Sequence, residues 1–470
     1  MQKITLIIVL FLNTAFISNA QIKTYYYPED TLVAKNLEDW KKLKFGLLMH
    51  WGTYTQWGIV ESWSICSEDE GWCERRGPYA NDYTEYKKQY EGLQKTFNPI
   101  NFAPDKWATA AQYAGMKYVV FTTKHHDGFC MFDTKYTDYK ITSDNCPFAK
   151  NSKSNVTKEV FDSFRNKGFK VGAYFSKPDW HCPDYWWPRF ATPNRCSNYD
   201  TKKYPQKWQA FEDFTYNQLN ELTTQYGKVD LLWLDGGQVR PDSTVTEEER
   251  PWIKVPYTQG INMHRIANMA RANQPGILMV DRSVYGYYQN YLTPEQQIPD
   301  KPLDYPWETC LTMAGSWSHV PGDKYKTTNN LIHTLVDIVA KGGNLLLNIG
   351  PDASGNWDDT AYTRLQEIGN WMKINSSCIY NSTAVAPYKS GRFCFTQVGK
   401  TIYAIYLLNE GETTATTLNI SNYIPSSKSK LTLLGLKTKL NFKTENGNTI
   451  IEVPPLDKNI FAHALVFKFE

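Results

Sequence analysis

The chain has 470 residues, 41% hydrophobic and 21% charged, with a formal net charge of +3. That length suits one large domain with a smaller companion, and a charge so near zero excludes an electrostatic case for nucleic acid or an anionic membrane as partner. Aromatic residues reach 15%, with 16 Trp and 31 Tyr, while histidine is scarce at 8.

Residues 1–20, MQKITLIIVLFLNTAFISNA, have a short basic start, an apolar run and a small-residue end. They read as a secretory signal peptide cut after Ala20, too short in its apolar core to span a membrane. No cysteine follows the cut, so no lipid anchor is expected, and the mature protein is predicted to be exported and soluble. It would act in a periplasmic, secreted or lysosome-like compartment.

Short apolar runs then alternate with helical patterns. KFGLLMH (44–50) reads as a strand. DKWATAAQYAG follows as a helix whose Trp107, Ala110, Ala111 and Ala114 share one face. KYVVFTTKHH is a second strand. TKEVFDSFRNKG is a helix that Thr157 is placed to cap and Gly168 to stop. FKVGAYFS is a third strand, 205–226 a long helix, and KVDLLWLDGG a fourth strand. A helix over 259–273 precedes GILMVDR, and TTNNLIHTLVDIVAKGG precedes NLLLNIG. Continuous apolar strands alternating with helices predict a parallel sheet covered by helices: an α/β fold, here a (β/α)8-like barrel over residues 21–378. From about 380 the strands GRFCFTQVG, TIYAIYLLN, LTLLGLK, TIIEVPP and AHALVFKFE follow one another without helices. They predict a small antiparallel β-sandwich over 379–470.

Nine cysteines are present. Cys182 with Cys196, and Cys66 with Cys73, bracket loops and are candidate disulfides in an oxidising compartment; the odd total leaves at least one thiol. No CxxC spacing supports zinc or redox chemistry.

Polar residues collect where the predicted strands end: His50, Lys124-His125-His126-Asp127, Tyr174, Trp233 with Asp235, Asp281-Arg282, and Asn348. Barrel enzymes keep catalysis at that rim. Asp235 stands out because a buried run, VDLLWL, precedes it and two glycines follow, allowing close approach of a ligand to the backbone. Glycoside hydrolysis needs a second carboxylate. Glu295 in NYLTPEQQ and Glu308 in YPWETC both qualify.

The tandem histidines of TTKHHDGF (122–129) admit three readings: metal ligands, packing, or pocket polarity. Strand neighbours point to opposite sides, so on the packing reading one imidazole could face the site while the other packs. A metal site wants more ligands and both histidines inward, which HH spacing does not favour, so no metal is expected. Neutral imidazoles, each able to donate and accept, fit a sugar's hydroxyls.

FGLLMHWGTY, AGMKYVVFTTKHHDGFCMFDTK, GFKVGAYFS, VDLLWLDGG, WETC, SWSH and GGNLLLNIGPDASG together resemble the α-L-fucosidases of glycoside hydrolase family 29 over most of residues 40–375. The resemblance implies a retaining exo-hydrolase of fucosylated oligosaccharides or glycoconjugates, with no cofactor. It implies Asp235 as nucleophile and Glu295 as acid/base, with Glu308 held in reserve. His50, His125 and His126 would bind sugar hydroxyls. Tyr174 and Trp233 would line the pocket, Arg282 would sit near the carboxylates, and Trp317 would lie beside the C5 methyl. The family's Glu-Trp pair is interrupted here by Ser62, between Glu61 and Trp63. Glu61 takes the sugar-binding role by its distance from His50, and Glu70 is the alternative. α-L-Galactosidase activity, or fucose binding without catalysis, are the alternatives for function.

Overall fold

The computed structural model describes residues 25–67, 73–458 and 460–470; the predicted signal peptide and Glu70 lie outside the described residues. Seven parallel strands form one curled sheet: β1 (Phe45–Met49), β2 (Tyr118–Lys124), β3 (Lys170–Ser176), β4 (Leu231–Asp235), β5 (Leu278–Asp281), β6 (Glu308–Thr312) and β7 (Asn344–Asn348). Their spatial order is β5-β4-β3-β2-β1-β7-β6. Nearly every residue of these strands is buried, because helices cover the outer face and side chains fill the inner one. The helices are α1 (Thr31–Lys41), α2 (Tyr83–Gly92), α3 (Pro104–Tyr113), α4 (Val156–Asn166), α5 (Pro205–Gln225), α6 (Met263–Asn273), α7 (Thr328–Ala340) and α8 (Asp359–Asn375).

The barrel differs from a regular eightfold one between β5 and β6. There the chain makes isolated bridges instead of a strand: Val280 with Gln289 on one side, Leu292 with Trp307 and Glu295 with Cys310 on the other. Prolines at 294, 299, 302 and 306 explain the irregularity, since each removes a backbone donor from any ladder or helix. What pairing remains is specific: Glu308 N donates to Leu292 O at 2.8 Å and Gln296 N to Cys310 O at 3.0 Å. These bonds hold Glu295 beside β6.

Two helix starts differ from the sequence reading. Asn155, not Thr157, caps α4 by accepting from Lys158 N, while the Thr157 hydroxyl donates to Met131 O at 2.9 Å. α6 starts at Met263, four residues late, because its cap Asn262 adopts the left-handed conformation (φ 51°) and ends any helix running in from 259.

The C-terminal strands are β8 (Thr383–Ser390), β9 (Phe393–Val398), β10 (Thr401–Leu407), β11 (Thr417–Ile420), β12 (Leu431–Leu433), β13 (Lys439–Leu440), β14 (Phe442–Glu445), β15 (Asn448–Glu452) and β16 (Ala464–Phe469). They build a six-stranded sheet, β13-β12-β16-β10-β9-β8, facing a three-stranded one, β11-β15-β14. Phe395, Leu418, Ile451 and Phe467 pack between them. The other face of the large sheet joins the barrel core through Cys394, Ile405 and Val466. Trp371 of α8 donates to Ala464 O at 3.1 Å across this junction. Among the described residues no helix is long and apolar enough to cross a membrane.

Cys182 carries a free thiol, so the candidate Cys182–Cys196 bridge is not formed. Aromatic side chains tie that loop instead: Trp186 Nε1 donates to Cys196 O at 2.8 Å, and the Trp180 and Trp186 rings stack with centroids 5.1 Å apart.

Candidate active site

A cavity of about 500 Å³ opens at the carboxyl ends of the barrel strands, and it is lined by Asp235, Glu295, Arg282 and the seven residues expected to contact the sugar, His50, Glu61, His125, His126, Tyr174, Trp233 and Trp317. His50 follows β1, His125 and His126 follow β2, Tyr174 ends within β3, and Trp233 and Asp235 close β4. Arg282 follows β5, Glu295 comes from the bridging segment, Trp317 lies beyond β6, and Glu61 opens a one-turn helix at 61–65. The alternation that a strand would impose on the tandem histidines does not occur. β2 ends at Lys124, so His125 and His126 are free of the pleat, and both rings line the cavity with centroids 4.3 Å apart.

Asp235 sits at the convergence of donors. Oδ1 accepts from Arg282 Nη1 at 2.8 Å, Oδ2 accepts from the Tyr174 hydroxyl at 2.7 Å, and His126 Nε2 lies 3.8 Å from Oδ2. Burial pushes the carboxyl upward, but the Arg282 charge, His126 and the two hydrogen bonds outweigh it and hold Asp235 well below the usual carboxylate range. Gly236 adopts φ +91°, and a Cβ there would lie 2.2 Å from Pro178 Cδ, so glycine is required where the chain turns away from Asp235.

Arg282 donates its other amino group, Nη2, to Glu295 Oε2. One guanidinium thus spans both carboxylates, with its carbon 5.1 Å from the Trp233 ring centroid. The residues that follow the two partners, Ser283 and Gln296, both carry positive φ (60° and 53°), a strained backbone placed at the tips of this contact. The Glu295 side chain is 43% exposed at the cavity mouth, against 14% for Asp235.

The imidazoles are neutral acceptors and donors. Burial pulls His50 and His126 down to about 4, and His125 well below its ordinary range. His50 has a defined tautomer. Asn348 Nδ2 donates to Trp317 O at 2.6 Å, which leaves Asn348 Oδ1 to accept Nδ1–H of His50 at 2.9 Å. The bare Nε2 of His50 is then an acceptor. His125 Nδ1 pairs with the Ser62 hydroxyl. Glu61 Oε1 accepts from Ser318 N at 2.7 Å, and burial, reinforced by the neighbouring Glu295 and Asp235, pushes its carboxyl up to about 8.

Glu308 is not at the cavity. It is fully buried in the barrel interior, accepting from the Tyr118 hydroxyl at 2.5 Å and from Trp233 Nε1 at 3.3 Å. It supports the pocket tryptophan from behind. Sequence reasoning missed Ser62, Trp63, Arg195 and Trp252 as lining or supporting residues, and treated Asn348 only as a polar strand end. His125, His126 and Asp235 bring three potential ligand atoms within 4.8 Å of one another. They do not suit a resident cation, because both Asp235 oxygens are engaged and Arg282 already neutralises that carboxylate.

The chain is similar to known alpha-L-fucosidases. The chain is 26% identical to tissue alpha-L-fucosidase of Homo sapiens over 479 residues, covering 96% of this chain and 93% of that one. Alpha-L-fucosidase isoenzyme 1 from Paenibacillus thiaminolyticus superposes with a TM-score of 0.73 at 29% identity, over 94% of this chain and all of that one. The Thermotoga maritima alpha-fucosidase, solved in complex with a mechanism-based inhibitor, superposes with a TM-score of 0.70 at 25% identity over 94% and 100%. The alpha-L-fucosidase family profile matches residues 13–377, and the chain belongs to that family, glycoside hydrolase family 29.

Proposed function

We propose that the protein is an exo-acting, retaining α-L-fucosidase that removes terminal α-L-fucosyl residues from glycans by double displacement. The observation that carries this reading is the Arg282 guanidinium shared by Asp235 and Glu295 at the floor and mouth of one cavity. Asp235, kept ionised, attacks the anomeric carbon while Glu295 protonates the departing glycosidic oxygen. Water activated by Glu295 then hydrolyses the fucosyl-enzyme. A general acid near the mouth suits this order of events, since the leaving group departs toward solvent.

The neutral imidazoles of His50, His125 and His126, with the Glu61 carboxyl, supply hydrogen bonds to the sugar hydroxyls as the ring flattens toward the transition state. Trp317, its ring 5.2 Å from that of His50, packs on the C5 methyl. The family assignment and the mechanism-based inhibitor bound to the Thermotoga maritima relative support the covalent route. The apolar N-terminal segment supports export, with the mature enzyme acting on extracytoplasmic glycoconjugates.

The test is hydrolysis of 4-nitrophenyl α-L-fucoside followed by proton NMR. The α-anomer of fucose should appear first and mutarotate afterwards. First release of the β-anomer would overturn the double displacement. Faster turnover of the α-L-galactoside would move the specificity to galactose. Fucose binding without turnover would leave a lectin-like protein.

A further inference from the structure

Gly237, Gln238, Ser283, Trp252 and Arg195 line the same cavity as the carboxylates. Trp252 comes close because the second glycine after Asp235 has no side chain: a Cβ on Gly237 would lie 3.6 Å from Trp252 Cη2 and 3.0 Å from Ser283 Cβ. Ser283 directly follows Arg282, whose Nη2 meets Glu295, so the indole borders the side of the cavity from which the acid/base works.

This rim is built, with its own support. Cys196, Ile253 and Val255 form a small buried cluster separate from the barrel core, and Trp252 packs on it. Arg240, buried and paired with Glu249, donates to Ser283 O at 2.8 Å and lies 5.9 Å from the Trp252 ring centroid. Arg195, from the aromatic loop after β3, lies 4.7 Å from the Trp63 centroid and 5.7 Å from that of Trp252. Two loops from different strands therefore lock together, through Tyr257 Oη donating to Ser197 O at 2.9 Å and Ser197 N donating to Gln259 Oε1 at 2.8 Å, to hold an indole and a guanidinium at the cavity.

The fucose-binding reading of the inner cavity does not use Trp252 or Arg195. Resting on that reading, we infer that they form the leaving-group subsite and take a neutral hexopyranose. Its flatter face lies along the Trp252–Trp63 aromatic rim, and its hydroxyls meet the planar donors of Arg195. Such a site selects fucosides whose aglycone is a sugar ring over those with a small or extended leaving group.

The test compares two substrates that share fucose and differ in aglycone: α-L-fucosyl fluoride, which has no ring to bind, and α-L-fucosyl-(1→2)-galactose. Trp252→Ala should lower kcat/KM on the disaccharide about tenfold more than on the fluoride, chiefly through KM. Trp252→Phe should restore most of the difference. Should Trp252→Ala fail to fold, Trp252→Leu keeps bulk over Ile253 and Val255 while removing the aromatic face, and carries the same comparison. Equal losses on both substrates would overturn the subsite. Wild-type enzyme inert toward both would instead reject the fucosidase reading itself.

Discussion

Arg282 donates from Nη1 to Asp235 Oδ1 at 2.8 Å, the closest charged contact of the residue proposed to attack the sugar. The contact does more than orient. Burial alone would push Asp235 toward its neutral form, and the guanidinium reverses that. Arg282→Met should therefore lower kcat/KM by about 100-fold or more. The sign of the pH effect follows: with the cation gone, burial raises Asp235, so the acidic limb of kcat/KM moves to higher pH. Arg282→Lys, which keeps charge but not the fork, should move that limb less. An acidic limb unmoved in Arg282→Met would mean that another group governs it.

If Asp235 forms the covalent bond, removing it opens the space it occupied. Asp235→Gly should lose at least about 10³-fold in kcat. Added azide should enter that space, restore turnover on a reactive fucoside and give β-fucosyl azide, detected by NMR. Unaided activity near the wild-type level would remove Asp235 from the role.

Glu295 and Glu308 are separated by chemistry as well as position. Glu295→Gln should lose about 10²–10⁴-fold in kcat/KM on sugar leaving groups, which need a proton in the first step, and far less in kcat/KM on fluoride, which does not. Glu308→Gln retains an acceptor for Trp233 Nε1, and its amide NH2 can donate to the Tyr118 oxygen in place of accepting from it. Its loss should stay within about tenfold and be the same for every leaving group. A leaving-group dependence in Glu308→Gln would exchange the two roles.

What the sequence discloses here follows the range of the interactions. Asp235 is legible because burial, strand end and turn are written in one run, LLWLDGG. His50, the tandem histidines and Arg282 are legible for the same reason, as strand ends of a parallel sheet. Asn348 as the partner of His50 is not, since 298 residues separate them and only barrel closure brings β7 beside β1. Glu308 alternates like a strand residue, which says nothing about whether its carboxyl reaches the cavity or the interior. The missing eighth strand is legible in hindsight from four prolines between 294 and 306, a density that no regular ladder accepts. Trp252 carries no local signal at all; its place depends on two loops that meet through a cluster of three buried side chains.

The His50–Asn348 pair makes its own prediction. Asn348 fixes Nδ1–H and so presents Nε2 as an acceptor for a sugar hydroxyl. Asn348→Leu releases the tautomer and leaves a buried N–H without a partner, at a cost of about 1–3 kcal/mol. KM for an α-L-fucoside should rise about tenfold, whereas Asn348→Asp, which still accepts from Nδ1, should rise less. Equal effects of the two substitutions would show that the tautomer is irrelevant.

Glu61 and the histidines should give stability opposite dependences on pH. Glu61 holds its proton up to about 8 when folded, above the ordinary 4.5. Between these values the unfolded chain has released a proton that the folded one keeps, so this group makes stability fall as pH rises. His50 and His126, held down to about 4 from 6.5, do the reverse, making stability fall as pH drops from 6.5 to about 4. Glu61→Gln keeps an acceptor for Ser318 N but cannot ionise. Its melting temperature should fall less steeply from pH 4.5 to about 8 than that of wild type, with the dependence below pH 4.5 unchanged. The kcat/KM profile should also lose an inflection near pH 8, because that profile reports groups of the free enzyme. If wild type and Glu61→Gln share the same alkaline inflection, Glu61 is already ionised at neutral pH and binds the sugar only as an acceptor.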